Sequence, residues 1–119
     1  MKRTPFRRKN KFGNIPVVID GIKFQSTLEG VHYNMLKMQL LAGEISDLDL
    51  QHEMPLKVAN KLICTYIADY YYYDKACQKW VISDAKGIET DVFKIKWKLA
   101  KALYPEFIFE LRKKWKVTR

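Results

Sequence analysis

Residues 62–86 read LICTYIADYYYYDKACQKWVISDAK, and this stretch decides the fold. Two runs rich in β-branched and aromatic residues, Leu62 to Tyr72 and Trp80 to Lys86, flank a polar segment from Asp74 to Gln78. Side chains of that kind suit a pleated, half-buried surface, and the segment between them suits a turn. The pattern predicts two strands paired with each other. Period-two alternation then puts the Asp84 carboxylate and the Lys86 ammonium on one face at the end of the second strand. Pairing across the turn lets Asp69 approach the same point. Two carboxylates brought together repel each other unless a cation lies between them, and oxygen ligands of this type are what Mg²⁺ or Mn²⁺ prefers.

Upstream, Leu48, Leu50, His52, Met54 and Leu56 alternate with polar residues and predict a third strand, which Pro55 bends or places at an edge. From Ser26 to Ala42 the apolar positions Leu28, Val31, Met35, Met38 and Ala42 recur at three- and four-residue intervals, and Gly43 follows them. An amphipathic helix is expected there. Ile15 to Phe24 reads as a hairpin turning at Asp20-Gly21. Downstream, Val92, Ile95, Leu99 and Ala102 mark one face of a second helix that stops at Pro105, and Glu106 to Leu111 fits a last buried strand. The order is hairpin, helix, three strands, helix, strand, which predicts a mixed α/β (α+β) sheet fold.

Charge is divided unevenly along the 119 residues, whose formal net charge is +9. Residues 1–14 hold six basic side chains, Lys2, Arg3, Arg7, Arg8, Lys9 and Lys11, and residues 112–119 hold five, Arg112, Lys113, Lys114, Lys116 and Arg119. Neither segment contains an acid, whereas the eleven lysines between them face all thirteen carboxylates. The expected organisation is a flexible basic arm (1–14), one domain (15–111) and a basic C-terminal tail (112–119). Ends of this kind suit phosphate backbones. Anionic lipid would satisfy the same charges, but Phe6, Phe12 and Trp115 interleave them and favour nucleic acid. Lys94, on the second helix, joins this group.

No run approaches the roughly 18 apolar residues of a membrane span, and no apolar run of a secretory signal follows the basic start. A cytoplasmic protein without a membrane partner is expected. Cys64 and Cys77 read as reduced packing residues. The Tyr70 to Tyr73 run reads as core packing rather than a stacking platform, and His32 and His52 fit no metal motif.

The ordered set, a glutamate on the first helix, an aspartate on the second strand and an aspartate-x-lysine on the third, resembles the PD-(D/E)XK nuclease superfamily. More narrowly, FQSTLEGVHY, LQHEMPL, YIADY, SDAKGIET and FKIKWKLAKALYP are similar to an uncharacterised family of small phage-encoded proteins assigned to that superfamily. The resemblance covers about residues 11–110. It implies a restriction-endonuclease-like core in which Glu29, Asp69, Asp84 and the Ala85 carbonyl hold Mg²⁺, with Mn²⁺ as a substitute, and Lys86 is the catalytic lysine. Gln51, Thr90 and Lys96 fall where related nucleases place accessory residues. Ala68 stands where the superfamily's proline would be. The implied activity is metal-dependent hydrolysis of DNA phosphodiesters. By analogy of fold and size, the substrate is branched DNA and the enzyme a homodimeric Holliday-junction resolvase. The alternatives are a binding module that does not cut, and a nickase or restriction-like enzyme acting on duplex. Blander readings stand beside these: Glu29, three residues after Ser26, also completes a capping box, and Asp84 with Lys86 also makes an ordinary ion pair.

Overall fold

The structure, a computed structural model, describes residues 15–114 and 116–119. The basic arm with Arg3, Arg7, Arg8, Lys9 and Lys11, and the aromatic Trp115, lie outside the described residues. The elements in chain order are β1 (Val17–Ile19), β2 (Ile22–Phe24), α1 (Thr27–Leu41), β3 (Ile45–Val58), β4 (Lys61–Asp74), β5 (Lys79–Ala85), α2 (Asp91–Leu103), β6 (Ile108–Arg112) and β7 (Val117–Thr118). Local chemistry sets most of their limits. Asp20 and Gly21 both adopt positive φ, 54° and 76°, which gives the tight turn of the β1–β2 hairpin its twist. Ser26 caps α1 by accepting from the Glu29 N–H at 3.1 Å, and Thr90 caps α2 by accepting from the Phe93 N–H at 3.1 Å. Pro105, which cannot donate to a helical ladder, follows the end of α2.

The mixed α/β fold is built on a five-stranded sheet of order β3-β4-β5-β6-β7, in which only β5 and β6 run parallel and α2 makes the crossover between them. Pro55 sits in β3, at the sheet edge, where a missing N–H costs least. One face of the sheet carries Tyr70, Tyr72 and Val81 against Tyr33 and Leu36 of α1. The other carries Met54, Tyr66 and Ile82 against Phe93 and Ala100 of α2.

Leu28 and Leu99 pack against the core as expected, but the other aliphatic positions predicted for both helices do not face the sheet. In α1 the buried residues are Gly30, His32, Tyr33 and Leu36, while Val31, Met35 and Met38 face outward. In α2 Phe93 and Ala100 are buried, with Trp97 packed against the same cluster, while Val92 and Ile95 are exposed. The inward sides are rich in aromatic rings, which offer more area for burial than aliphatic side chains. Counting aliphatic positions alone therefore centres the stripe on the wrong residues.

The C-terminal segment is also corrected. β7 pairs antiparallel with β6, so Arg112, Val117 and Thr118 belong to the sheet rather than to a separate tail. Arg112 lies inside β6 at 4% exposure and Arg119 pairs with Asp74 and Glu110. Cys64 packs on the α2-side cluster as expected, but Cys77 is exposed.

The hairpin rests directly on α1. A Cβ placed on Gly30 would lie 2.8 Å from both Val17 Cγ2 and Ile19 Cδ1. Gly30→Ala gains about 0.8–1.0 kcal/mol of helix propensity, against about 1–3 kcal/mol for overpacking. The expected result is a net loss of about 1 kcal/mol, seen as a melting temperature lower by a few degrees. A higher melting temperature would mean that the hairpin yields to the methyl group without cost.

Candidate functional site

The site forms where β4 and β5 stop pairing. Their last paired residues are Tyr70 and Ser83, so the register places Asp69 and Asp84 opposite each other one step further on. Strand alternation also slips at this point: Tyr66 and Ala68 belong to the α2-side cluster, whereas Tyr70 and Tyr72, of the same parity, belong to the α1-side cluster. Asp69 occupies the slip. Its Oδ2 accepts from the Ala85 N–H at 3.0 Å, which ties the diverging strands together through a side chain. Facing it across β3, Gln51 holds φ at 55°, a left-handed conformation uncommon for a residue with a side chain. Its Nε2 donates to Asp69 Oδ1 at 3.4 Å. Strain of this kind persists where the surroundings over-determine it, often beside functional groups.

α1 supplies the next carboxylate. Glu29 Oε1 accepts from the Gln25 N–H at 2.9 Å while the Glu29 N–H donates to Ser26, so the residue closes the helix start as a capping group and still faces the same cleft. That cleft, of about 580 Å³, is lined by Glu29, Gln51, Asp69, Ala85, Lys86 and Thr90 among others. Asp84 lies behind it, with 0% exposure. Tyr66 donates its hydroxyl to Asp84 Oδ2, and Lys86 Nζ stands 3.1 Å from Oδ1. This second contact is an ion pair without the alignment of a hydrogen bond, and Oδ1 has no hydrogen-bond partner. The Lys86 ammonium also lies 4.9 Å above the Phe93 ring.

The electrostatics follow from this crowding. Burial and the adjacent Asp69 push the Glu29 carboxyl up to about 7. Burial and Asp69 push Asp84 up to about 8. Both carboxyls come within hydrogen-bonding reach of the Asp69 carboxyl, which stands between them. Burial opposes the charge on Lys86, but Asp84 and Asp69 outweigh it and hold the ammonium above its ordinary value. An acidic trio, Asp69 and Asp84 buried and Glu29 partly so, beside one lysine is poised to gain a cation or keep protons. Among the described residues, no group of three or more His, Cys, Asp and Glu stands ready to enclose a metal ion. Asp84 is turned towards Tyr66 instead. The donor set nonetheless fits a hard divalent cation: all oxygen, crowded, and with one buried carboxylate oxygen lacking a hydrogen bond.

The structure thus brings together Glu29, Asp69, Asp84, Ala85 and Lys86, with Gln51 and Thr90 on the cleft wall. Lys96 is not among them. Its Nζ donates to the Thr65 carbonyl at 3.1 Å, which fixes it to β4 outside the residues that line the cleft. Arg112, read from its tail position as a phosphate contact, is buried against Glu110 and leaves no guanidinium edge for a ligand. Lys113 pairs with Glu89, while Lys94, Lys114 and Lys116 remain exposed.

A family model described as "Protein of unknown function (DUF1064)" matches residues 9–118. The chain belongs to that family. No curated protein and no solved structure matches it. The matched span contains every one of the clustered side chains, so the site lies in the family's domain and not in an appendage.

Two features went unread in the sequence. Tyr66 fixes Asp84 from the far side of the sheet, and only strand register could have revealed it. The second is a buried network in which Glu110 Oε1 accepts from Tyr72, Ser83 and Arg112 at 2.7, 2.9 and 2.8 Å. The spacing Glu110-x-Arg112 on one strand face carried a signal for this pair. His32 joins the network: a neutral ring protonated on Nε2 donates to the Lys113 carbonyl and accepts from Arg112. Burial and the Arg112 charge keep its pKa below the ordinary value.

The raised carboxyls predict a pH effect on the metal-free protein. Glu29 and Asp84 titrate near 4.5 and 3.8 in an unfolded chain but near 7 and 8 in the fold. Between those limits the folded state holds protons that the unfolded state has released, so stability falls as pH rises. In EDTA the melting temperature should drop from pH 5.5 to 8.5. Added Mg²⁺ should restore it at pH 8.5 and do little at 5.5, where protons compete. At a hundredfold excess over Kd the gain is about 2.7 kcal/mol. A melting temperature that rises with pH, or ignores the cation at pH 8.5, would contradict this account.

Proposed function

We propose that the chain is a metal-dependent endonuclease that hydrolyses DNA phosphodiester bonds. The observation that carries this reading is the convergence of Glu29 from α1, Asp69 from β4 and Asp84 from β5 with Lys86 at one cleft, where the two strands part. Glu29, Asp69, Asp84 and the Ala85 carbonyl are the groups that would hold Mg²⁺ or Mn²⁺. Such a cation, when bound, neutralises the carboxylates and polarises a phosphoryl oxygen. Lys86 lies where its ammonium meets charge developing on the phosphoryl oxygens as water attacks phosphorus and the bond to the leaving sugar oxygen breaks. Asp84 and the Phe93 ring hold it there. Gln51 orients Asp69, and Thr90 brings the N-terminus of α2, with its partial positive charge, to the cleft wall.

One small domain offers little surface for reading bases, so recognition by DNA shape is favoured over a long target sequence. Branched DNA, with the chain acting as a junction resolvase in the cytoplasm of a phage-infected cell, is the proposed setting. Among the described residues no helix is long and apolar enough to cross a membrane.

The test is cleavage of labelled four-way junction and linear duplex with Mg²⁺, Mn²⁺ or EDTA. Metal-dependent cutting supports the nuclease, and preference for the junction supports the resolvase. Equal cutting of linear duplex would point to a nickase or restriction-like enzyme. Tight binding with no product under either metal would leave a non-catalytic DNA-binding module on this fold.

A further inference from the structure

α1 is apolar on two opposite sides. Tyr33 and Leu36 enter the core, whereas Val31, Met35, Met38 and Leu41 lie outside with 48%, 46%, 70% and 79% of their surface exposed. Across Thr27–Leu41 the acidic and basic side chains are Glu29, His32 and Lys37, and of these only Lys37, four residues before Leu41, borders the outer side. Glu29 borders the cleft, His32 is buried and Lys37 pairs with Asp20. A helix that is hydrophobic all round is ordinarily buried all round. Here the described residues leave one side uncovered.

The uncovered side has its own order. Val31, Asn34, Met38 and Leu41 follow three-, four- and three-residue steps, the spacing of the seam where one helix interlocks with another, and Met35 and Ala42 widen it. α2 supplies a contrast: its exposed Val92 and Ile95 are bordered by Lys94, Lys98 and Lys101, charges that would repel a like surface.

We propose that the outer side of α1 is the interface of a homodimer, in which α1 packs on α1 of a second copy. A two-fold contact must complement itself. The net charge of +9 comes from residues 1–14 and 112–119, and the outer side of α1 carries none of it, so it does not repel its own copy. Residues 1–14 carry six basic side chains, for which the seam offers no acidic partner. Four large side chains on each of two copies, half to four-fifths exposed, reach the order of about 1,000 Å² that a specific interface needs. Glu29 lies about 180° round the helix from Met38, so the pairing leaves both clefts open. The inference rests on the surface of α1 and not on what the cleft does.

Sedimentation of the full chain up to high micromolar concentration tests it. The wild type should run with the mass of two chains. Met38→Glu should run as one chain with unchanged circular dichroism and melting behaviour, because its side chain leaves no cavity behind. Asn34→Leu should tighten the dimer at least tenfold, since a polar group on a helix seam costs affinity. Val92→Glu, equally exposed on α2, should leave the dimer intact. A wild type that stays single at every concentration overturns the proposal, whether residues 1–14 or another protein covers the seam. So does a dimer that Met38→Glu leaves whole, or one that Val92→Glu dissolves.

Discussion

Lys86→Ala is expected to lower metal-dependent DNA cleavage by about 10²–10³-fold, the loss that follows removal of one preorganised donor from a developing anion and equivalent to about 2.7–4 kcal/mol of barrier. The loss falls on turnover because the ammonium does little for the fold: its side chain is partly exposed, and the Asp84 carboxyl beside it, already pushed up to about 8, takes a proton when the lysine is absent. Single-turnover kinetics at saturating DNA separate the chemical step from binding. Asp84→Asn is the informative companion. It keeps the shape that receives the Tyr66 hydroxyl while removing a charge that burial already disfavours. In EDTA at pH 8.5 this variant should melt at or above the wild-type temperature, yet it should cut no faster than Lys86→Ala. Full activity in both variants would remove these residues from the chemistry. A collapse of the fold in Asp84→Asn would make the cluster structural.

Arg112→Met is expected to cost about 3–5 kcal/mol of stability, because it breaks a buried ion pair and leaves the Glu110 carboxylate with only the partly exposed Arg119 as a charged partner. Glu110 is nearly inaccessible and holds four donors: Tyr72, Ser83 and Arg112 on one oxygen, Arg119 on the other at 2.9 Å. Burial works against its carboxylate, but Arg112 and these hydrogen bonds outweigh it and keep its pKa below the ordinary value. Without Arg112 the carboxylate must ionise beside fewer donors, and His32 loses the donor to its Nδ1. For a domain of this size the melting temperature should fall by about 10–20 °C. The double variant Glu110→Gln with Arg112→Met should recover much of the loss, since no unpaired charge remains. If Arg112 instead contacts DNA, the single variant will melt like the wild type and bind less tightly.

The contrast between Arg112 and Lys86 shows how far local reading reaches. Lys86 was legible because the aspartate two places earlier shares its strand face, and period-two geometry is fixed by the backbone alone. Arg112 stood in a run of basic residues and was counted with them. Its partner Glu110, at the same two-residue spacing, lay just inside the assigned domain boundary. The helix stripes failed for a related reason. Periodicity fixes that α1 and α2 form, but which side faces the sheet depends on the neighbours each side can cover. Tyr33, Phe93 and Trp97 won against aliphatic residues that matched the same period.

The sequence by itself determined the element order from the hairpin to the strand after the second helix, the Ser26 cap, the turn at Asp20-Gly21, the pairing of the two strands around Asp74 to Gln78, and the approach of Asp69 within one strand to Asp84 and Lys86 at the end of the other. These follow from interactions among residues close in the chain, or from a hairpin register set by its turn. Tertiary structure alone decided the slip of alternation at Asp69, the burial of Asp84 behind the cleft under Tyr66, the removal of Lys96 to Thr65, and the pairing of Val117 and Thr118 with the strand that holds Arg112. Each depends on groups brought together from distant parts of the chain. Burial and electrostatic pairing are properties of that assembled neighbourhood, and no local spacing encodes them.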